Sequence, residues 1–140
     1  MSPKHGSGPL AKTLGGYSDL AFVALRVVVG LLFAIHGAQK MFGVLGGHVP
    51  SFPTQIWFGG AIELVGGALI AVGLGTRAAA FVSSGTMAVA YTQFHWKGAF
   101  DERFFPVVNQ GELAVVYAFL FLYIACVGAG PYSLDARWRR

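Results

Sequence analysis

Four stretches of the chain are dominated by apolar residues, and polar segments rich in glycine or proline separate them. The first stretch, residues 20–42, reads LAFVALRVVVGLLFAIHGAQKMF and contains no Pro, Asp or Glu over its 23 residues. A helix of this length rises roughly 34 Å, which is enough to cross a hydrocarbon core of about 30 Å. Since the apolar run exceeds the core of a signal peptide, we predict a retained membrane-spanning helix.

Three further helices are predicted at residues 58–74, 78–96 and 110–129. In the second helix Glu63 lies four residues after Gly59 and three before Gly66, so the acid shares the face of the small residues. Small residues let helices approach closely in lipid, and this face is therefore expected to point at neighbouring helices. The third stretch carries Ser, Thr and Gln, which favours a position against its neighbours over one exposed to lipid on all sides.

Short connections between these helices predict an all-α fold. The expected architecture is a polytopic membrane protein whose four transmembrane helices form an up-down-up-down bundle across residues 20–130. Residues 1–19 are expected to form a flexible tail and residues 131–140 a basic one. Outside the helices, six Lys or Arg residues fall on the side of both termini and two on the other side. The positive-inside rule therefore places both termini in the cytoplasm.

The composition also indicates a membrane protein. Hydrophobic residues make up 55% of the 140 residues and charged residues 11%, against about 25% charged residues in soluble domains. Cys126 is the single cysteine, which excludes an internal disulfide, and no C-x-x-C or clustered Cys/His pattern predicts a metal centre. The terminal arginines are few and flank a membrane helix, so anionic lipid is the expected partner and nucleic acid is not.

Polar and ionisable residues recur at one depth of the predicted bundle. Counting along alternating helices puts six of them in one layer, roughly 10 Å thick, near the outer end. They are His36, Lys40, Glu63, His95, Asn109 and Glu112. Ionisable groups in hydrocarbon need partners or a wet cavity, so we expect these side chains to meet inside the bundle.

Three interpretations of this layer stay open. The first is charge compensation, in which Lys40 pairs with Glu63 or Glu112. The second is a redox or quinone-type pocket, where histidine and a desolvated carboxylate move protons and aromatic residues such as Trp57 and Tyr91 pack against a flat ring. The third is a metal site built from the two histidines and two glutamates of the layer, whose donor types suit zinc or iron.

Arg26 lies about 9 Å inside the cytoplasmic end of the first helix. Two alternatives are open for it: its guanidinium snorkels to that end, or it is an interior charge that reaches toward Glu63 or tyrosine hydroxyls. At 100° per residue, Arg26, His36 and Lys40 could all line one sector of the helix.

The order of several short motifs resembles that of a known family. The motifs are H-G-x-x-K at 36–40, E-L-x-G-G at 63–67, G-L-x-T-R at 73–77 and G-E-L at 111–113. From about Leu20 to Asp135 the chain resembles the DoxX family of small bacterial four-helix membrane proteins. The resemblance implies a multi-pass protein of the bacterial inner (plasma) membrane, often described as an oxidoreductase. Similar proteins form the membrane subunit of thiosulfate:quinone oxidoreductase, or join a complex with a superoxide dismutase and a sulfurtransferase.

From the polar layer and the resemblance we predict a quinone-linked membrane subunit of an oxidoreductase that serves thiosulfate, thiol or oxidative-stress chemistry. The candidate catalytic residues are His36, Glu63, His95 and Glu112, and the candidate quinone-binding residues are Arg26, Lys40, Asn109, Tyr91 and Trp57. His36 and Glu63 are expected to move protons or bind the ring, while Lys40 and Arg26 hold an anion or balance the carboxylates. Quinone is the candidate cofactor, and no metal ligand is assigned.

The expected partners, besides the lipid bilayer, follow from the same reasoning. We expect an oxidoreductase or sulfurtransferase subunit on a separate polypeptide, and the glycine-lined second helix suggests a homo-oligomer. The alternative from another class is a non-enzymatic role, as a membrane scaffold or a small-solute permease.

Overall fold

The computed structural model describes residues 8–138 of the chain. This part is all-α, as predicted, and no strand occurs among the residues it describes. Its α-helices are α1 (Pro9–Gly15), α2 (Ser18–Phe42), α3 (Gln55–Val72), α4 (Thr76–Ala90), α5 (Pro106–Asn109), α6 (Glu112–Val127) and α7 (Leu134–Trp138). A π-helix over Tyr91–Trp96 continues α4, and a 3-10 helix over Glu102–Phe104 lies in the loop before α5.

Local sequence signals set the ends of α2 and α3. Gly43 ends α2 in the left-handed conformation, with a φ of +67°, which favours glycine. Thr54 caps the start of α3, because its side-chain oxygen accepts a hydrogen bond from the backbone N–H of Trp57 at 3.3 Å. For that reason α3 begins at Gln55, three residues earlier than the hydrophobic pattern predicts.

The helices α2 and α3 are in backbone contact along their glycines. A Cβ atom added to Gly30 would lie 2.6 Å from the backbone nitrogen of Ala71, and one added to Gly37 would overlap the backbone of Leu64. Gly67 opposes Gly30 in the same way, with 2.6 Å between its added Cβ and the carbonyl oxygen of Gly30. Residue numbers fall along α3 as they rise along α2, so the two helices are antiparallel at this interface. Only glycine permits so close an approach.

The small-residue face of α3 points at neighbouring helices, as predicted. Gly66 and Gly67 are buried, and a Cβ on Gly66 would lie 2.6 Å from the Ser83 hydroxyl of α4. The glycine face that the sequence offered for self-association is therefore covered by α2 and α4 of the same chain. Gly59 differs from these glycines, because a Cβ added there would meet nothing within 4 Å.

Replacing Gly37 by Ala is expected to destabilise the fold, because the new methyl group would overlap the backbone of Leu64. Overpacking typically costs about 1 to 3 kcal/mol, so the thermal midpoint measured by circular dichroism in detergent should fall by several degrees. Gly85→Ala is the matched control, since a Cβ at Gly85 has open space and alanine favours the helix. A Gly37→Ala variant as stable as the wild-type protein would contradict the backbone contact.

Two of the described helices, α2 and α3, are long and apolar enough to cross a membrane. Helix α6 is apolar as well, but it has 16 residues. The outer surface of the helices carries many apolar side chains that are more than half exposed, among them Leu31, Val65, Phe81 and Phe119. Apolar surface on this scale is rare on soluble monomers and typical of helices that contact lipid.

Apolar side chains of α2, α3, α4 and α6 meet in one core. Phe33 of α2 is 1% exposed, and its ring centroid lies 5.4 Å from that of Tyr117 and 4.7 Å from that of Phe121. Ile70 of α3 and Ala80 of α4 are fully buried in the same cluster. This core packs α6 against α2, and the residues of the predicted polar layer lie next to it.

Arg26 lies at the terminal end of the molecule, which we define as the end where α2 begins and α6 finishes. Its guanidinium is buried and donates hydrogen bonds to the carbonyl oxygens of Ala129 at 2.9 Å and Tyr132 at 3.2 Å. These carbonyls follow the last turn of α6, where backbone acceptors lack partners within the helix. The guanidinium thus extends to the end expected in the first alternative, but it is buried there against backbone carbonyls and does not reach the surface. Among the described residues it makes no hydrogen bond to Glu63 or to a tyrosine hydroxyl, so the second alternative is wrong.

The C-terminal segment, predicted as a basic tail, docks on the same end. The carboxylate of Asp135 accepts hydrogen bonds from the backbone N–H groups of Gly75 and Thr76, at 2.7 and 2.9 Å, and so caps the start of α4. The predicted N-terminal tail likewise contains a helix, the exposed α1, which Pro9 begins. The remaining tail residues, 1–7 and 139–140, lie outside the described residues.

Candidate functional site

A chamber of about 240 Å³ lies at the loop end of the helices, the end that carries residues 43–54 and 97–111. Side chains from α2, α3, α4, the π-helix and α6 line it. They are Phe33, His36, Lys40, Glu63, Met87, Ala90, His95, Gln110, Leu113, Ala114 and Tyr117. The chamber therefore combines aromatic walls with two histidines, one acid and one base.

The acid and the base form an ion pair across the α2–α3 interface. Lys40 Nζ lies 2.5 Å from Glu63 Oε1, and the two side chains are 35% and 4% exposed. Gly60 lies directly under Lys40, since a Cβ there would come within 2.8 Å of the lysine Cβ. Of the two pairings predicted for Lys40, the structure makes the one with Glu63. A buried carboxylate needs such a cation, because an unpaired buried charge is strongly destabilising.

The second oxygen of Glu63 is the distinctive feature of the chamber. Oε2 is buried and has no hydrogen-bond partner among the residues that the structure describes. Buried polar atoms are nearly always hydrogen-bonded, and an exception calls for an explanation such as strain, catalysis or a bound group. Glu63 lines the chamber, so this unpartnered oxygen belongs to a carboxylate in the chamber wall.

The π-helix brings His95 to the opposite wall. Nδ1 of His95 lies 3.2 Å from the backbone carbonyl oxygen of Asn109, and its ring stacks on that of Tyr91 with 6.5 Å between centroids. A carbonyl can only accept, so Nδ1 carries the proton in this contact and Nε2 of the neutral ring is left as an acceptor. π-helical turns recur at functional sites, and this one turns His95 away from the direction that α-helical spacing predicts.

Tyr91 and Asn109 hold the loop that closes this wall. The hydroxyl of Tyr91 donates to the carbonyl oxygen of Phe104 at 2.8 Å, and Asn109 Nδ2 donates to that of Arg103 at 2.8 Å. The side-chain oxygen of Asn109 accepts from the backbone N–H of Gly111, also at 2.8 Å. Both residues were predicted to bind a ligand; the structure places them beside His95, where they fix its position.

Three of the predicted site residues lie away from the chamber. Glu112 is exposed at the first turn of α6. Trp57 packs its ring against Phe52 and Phe58, with centroids 4.9 and 5.3 Å away. Arg26 lies at the terminal end, ten residues or roughly 15 Å along α2 from His36.

Sequence reasoning missed two polar residues of the chamber, Tyr117 and Gln110. Tyr117 is 5% exposed and its ring is nearly parallel to that of Phe121, at 5.3 Å. Its position five residues inside α6, near the loop end where the predicted polar layer lies, was a usable signal. Gln110 has a left-handed backbone conformation, with a φ of +59°. A glutamine in the sequence does not predict that conformation.

The metal interpretation of the polar layer lacks a donor set. Among residues 8–138, no group of three or more His, Cys, Asp or Glu side chains is close enough to hold a metal ion. The two acids of the proposed set are separated, since Glu63 is buried in the chamber and Glu112 is exposed outside it.

Helices of membrane length around a buried polar chamber define this protein as a small helical membrane protein. The family model named DoxX matches residues 21–96, which is more than half of the chain. The chain therefore belongs to the DoxX family, as its motifs suggested. The matched region contains α2, α3, α4 and the π-helix, and thus Lys40, Glu63 and both histidines of the chamber.

Two curated relatives cover most of the chain. A protein of Haemophilus influenzae named "Uncharacterized protein" is 42% identical over 123 residues, which are 85% of this chain and 90% of the relative. A protein of Bacillus subtilis named "Putative oxidoreductase CatD" is 27% identical over 124 residues, 84% of this chain and 86% of the relative. No solved structure matches the chain.

Lys40→Met is expected to lower the thermal midpoint in detergent, because it leaves the Glu63 carboxylate buried without a cation. The loss should be about 1 to 3 kcal/mol, reduced from the value for a fully buried pair by the partial exposure of Lys40. The double variant Lys40→Met/Glu63→Leu should recover part of this loss, since it removes both charges.

The exposed pair of Asp101 and Arg103 provides the matched control. Arg103 Nη2 lies 2.6 Å from Asp101 Oδ2. Hydrogen bonds from Arg103 lower the pKa of Asp101 to about 2, so this pair is also charged at neutral pH. Arg103→Met should nevertheless leave the thermal midpoint nearly unchanged, because both groups stay in water. If Lys40→Met and Arg103→Met lowered the thermal midpoint equally, the burial of Glu63 would not be the cause of the lost stability.

Proposed function

We propose that this DoxX-family protein is the membrane subunit of an oxidoreductase and that its chamber holds a quinone. The observation that carries the proposal is the buried carboxylate of Glu63 in the chamber wall, which gives one oxygen to Lys40 and leaves the other without a hydrogen-bond partner among the described residues. A buried unpaired oxygen costs free energy, so a ligand that offers a hydrogen bond there is favoured. The name of the Bacillus subtilis relative, "Putative oxidoreductase CatD", supports the same class of protein.

The residues of the chamber suit a quinone ring. Phe33 and Tyr117 offer flat aromatic surface for its faces, while Glu63 and His95 offer polar atoms for its edge. The volume of about 240 Å³ is below the roughly 300–1,000 Å³ of pockets for drug-sized ligands, so the chamber suits a ring more than a larger molecule. A bound quinone supplies a redox couple of two electrons and two protons.

Proton movement is the part assigned to this chain. Glu63 exchanges a proton at Oε2, while Lys40 stays paired with Oε1. His36 lines the chamber and is also exposed, so it connects the chamber with the surface. His95 offers Nε2 to the ligand. The electrons come from a thiosulfate or thiol donor that a separate polypeptide oxidises.

We also propose a topology with four membrane spans. In it α2, α3, α4 with its π-helix, and α6 cross the bacterial inner membrane in alternating directions, with both termini in the cytoplasm. The antiparallel contact of α2 with α3 supports this arrangement, as does the three-residue turn 73–75 between α3 and α4. The excess of Lys and Arg on the side of the termini supports the orientation. The chamber then lies in the outer half of the membrane.

Cysteine labelling tests the topology. In a Cys126→Ser background, His48→Cys at the loop end should react with a membrane-impermeant maleimide in intact cells. Trp138→Cys at the terminal end should react only after the cells are permeabilised. The reverse pattern would invert the orientation, and labelling of both sites in intact cells would rule out the three spans, α3, α4 and α6, that the proposed topology puts between them.

Glu63→Gln is expected to lower quinone-dependent oxidation of thiosulfate or thiols in membranes by about a hundredfold, because it removes the proton-exchanging group and keeps its shape. His36→Ala should lower the rate less, since it alters only the route to the surface. Glu102→Gln, an exposed acid in the loop, is the matched control and should leave the rate unchanged.

Other outcomes distinguish the rival functions. An unchanged rate in a normally expressed Glu63→Gln variant would remove this residue from the mechanism. Stable co-purification of partner subunits with no turnover would favour a scaffold. Solute uptake by proteoliposomes that contain the purified chain would favour a permease.

A further inference from the structure

A second cavity adjoins the chamber. It is a groove of about 410 Å³ between α3 and α4, and its walls are mostly apolar. The exposed side chains of Ile56, Phe58 and Val89 line it, so it opens on the outer surface of the helices, where lipid would lie in the proposed topology. We call this cavity the groove.

The groove and the chamber have a common wall. Five residues line both cavities: Lys40, Glu63, Met87, Ala90 and His95. The unpartnered, buried oxygen of Glu63 belongs to this wall, so the polar atom that calls for a ligand lies where the two cavities adjoin. A ligand that reaches Glu63 therefore has the chamber on one side and the groove on the other.

Two glycines keep the groove open. A Cβ atom added to Gly59 of α3 or to Gly85 of α4 would meet nothing within 4 Å, although both residues line the groove. Gly66 and Gly67, by contrast, are required by close contact with neighbouring helices. Helix packing thus explains Gly66 and Gly67 but not Gly59 and Gly85. A groove with an occupant explains the glycines at 59 and 85.

We propose that the groove holds the linear apolar tail of the ligand whose ring occupies the chamber, and that the ligand enters from the bilayer between α3 and α4. This inference rests on the proposed function, because the occupant is an isoprenoid or alkyl chain attached to a quinone ring. The ring fills the smaller cavity at Glu63 and His95. The tail follows the apolar wall past Gly59 and Gly85 into the lipid.

The test uses two probes that differ only in the tail. One is a dimethoxy-methyl-benzoquinone with a decyl chain, and the other is the same ring without it. Binding to the full-length protein in detergent is measured as the saturable quenching of tryptophan fluorescence, at one detergent concentration for all variants. Gly85→Leu should weaken the binding of the decyl probe about tenfold, because the new side chain fills the groove, and should change the binding of the ring probe less than about twofold.

Gly59→Leu fills the groove from the opposite wall and should reproduce the result, which guards against a folding defect peculiar to one variant. Ala88→Leu is the matched control. Ala88 lies one turn from Gly85 on α4 but faces a different cavity, between α4 and α6, so neither probe should be affected.

Three results would count against the inference. Decyl and ring probes that bind the wild-type protein equally, or a decyl probe that binds both glycine variants as tightly as the wild type, would overturn the tail site and leave the proposed function standing. Failure of both probes to bind the wild-type protein would overturn the proposed quinone chemistry, and the tail site with it.

Discussion

The ion pair between Lys40 and Glu63 is the interaction on which the chamber depends. A carboxylate that is 4% exposed requires a cation in contact, because an unpaired buried charge is strongly destabilising in a fold of marginal stability. That contact requires α2 and α3 to approach until their backbones touch at Gly30 and Gly37, and it requires Gly60 to leave room beneath the lysine. The glycine interface and the ion pair are therefore parts of one arrangement.

Charged groups serve different purposes at the two ends of the molecule. At the terminal end they bind backbone: Arg26 and Arg77 donate to carbonyls near the end of α6, and Asp135 caps α4. Such contacts fix how the helices are joined and leave little for a ligand to use. At the loop end the pairing is between side chains, and Glu63 retains an oxygen without a partner. The chemistry is accordingly expected at the loop end.

Sequence reasoning could predict the depth of the polar residues but not their direction. A rise of 1.5 Å per residue is enough to put His36, Lys40, Glu63 and His95 in one layer, and the structure gathers these four around the chamber. The direction in which each side chain points depends on local backbone geometry and on nearby hydrogen-bond acceptors, which residue types do not reveal. The π-helix changes the angle at which His95 projects, and the carbonyls beyond α6 hold Arg26 at the terminal end, away from Glu63.

The interpretations of the polar layer as charge compensation and as a redox pocket do not exclude each other, because different atoms of one residue serve them. Oε1 of Glu63 satisfies Lys40 and holds α2 against α3, whereas Oε2 contributes nothing to that contact and has no other partner among the described residues. Charge compensation alone does not call for a carboxylate here, since a well-packed apolar pair of similar volume is often as stable as a buried ion pair. A carboxylate in the wall of a chamber that also holds two histidines, with one oxygen unpartnered among the described residues, supports the proposal of a ligand that uses the second oxygen.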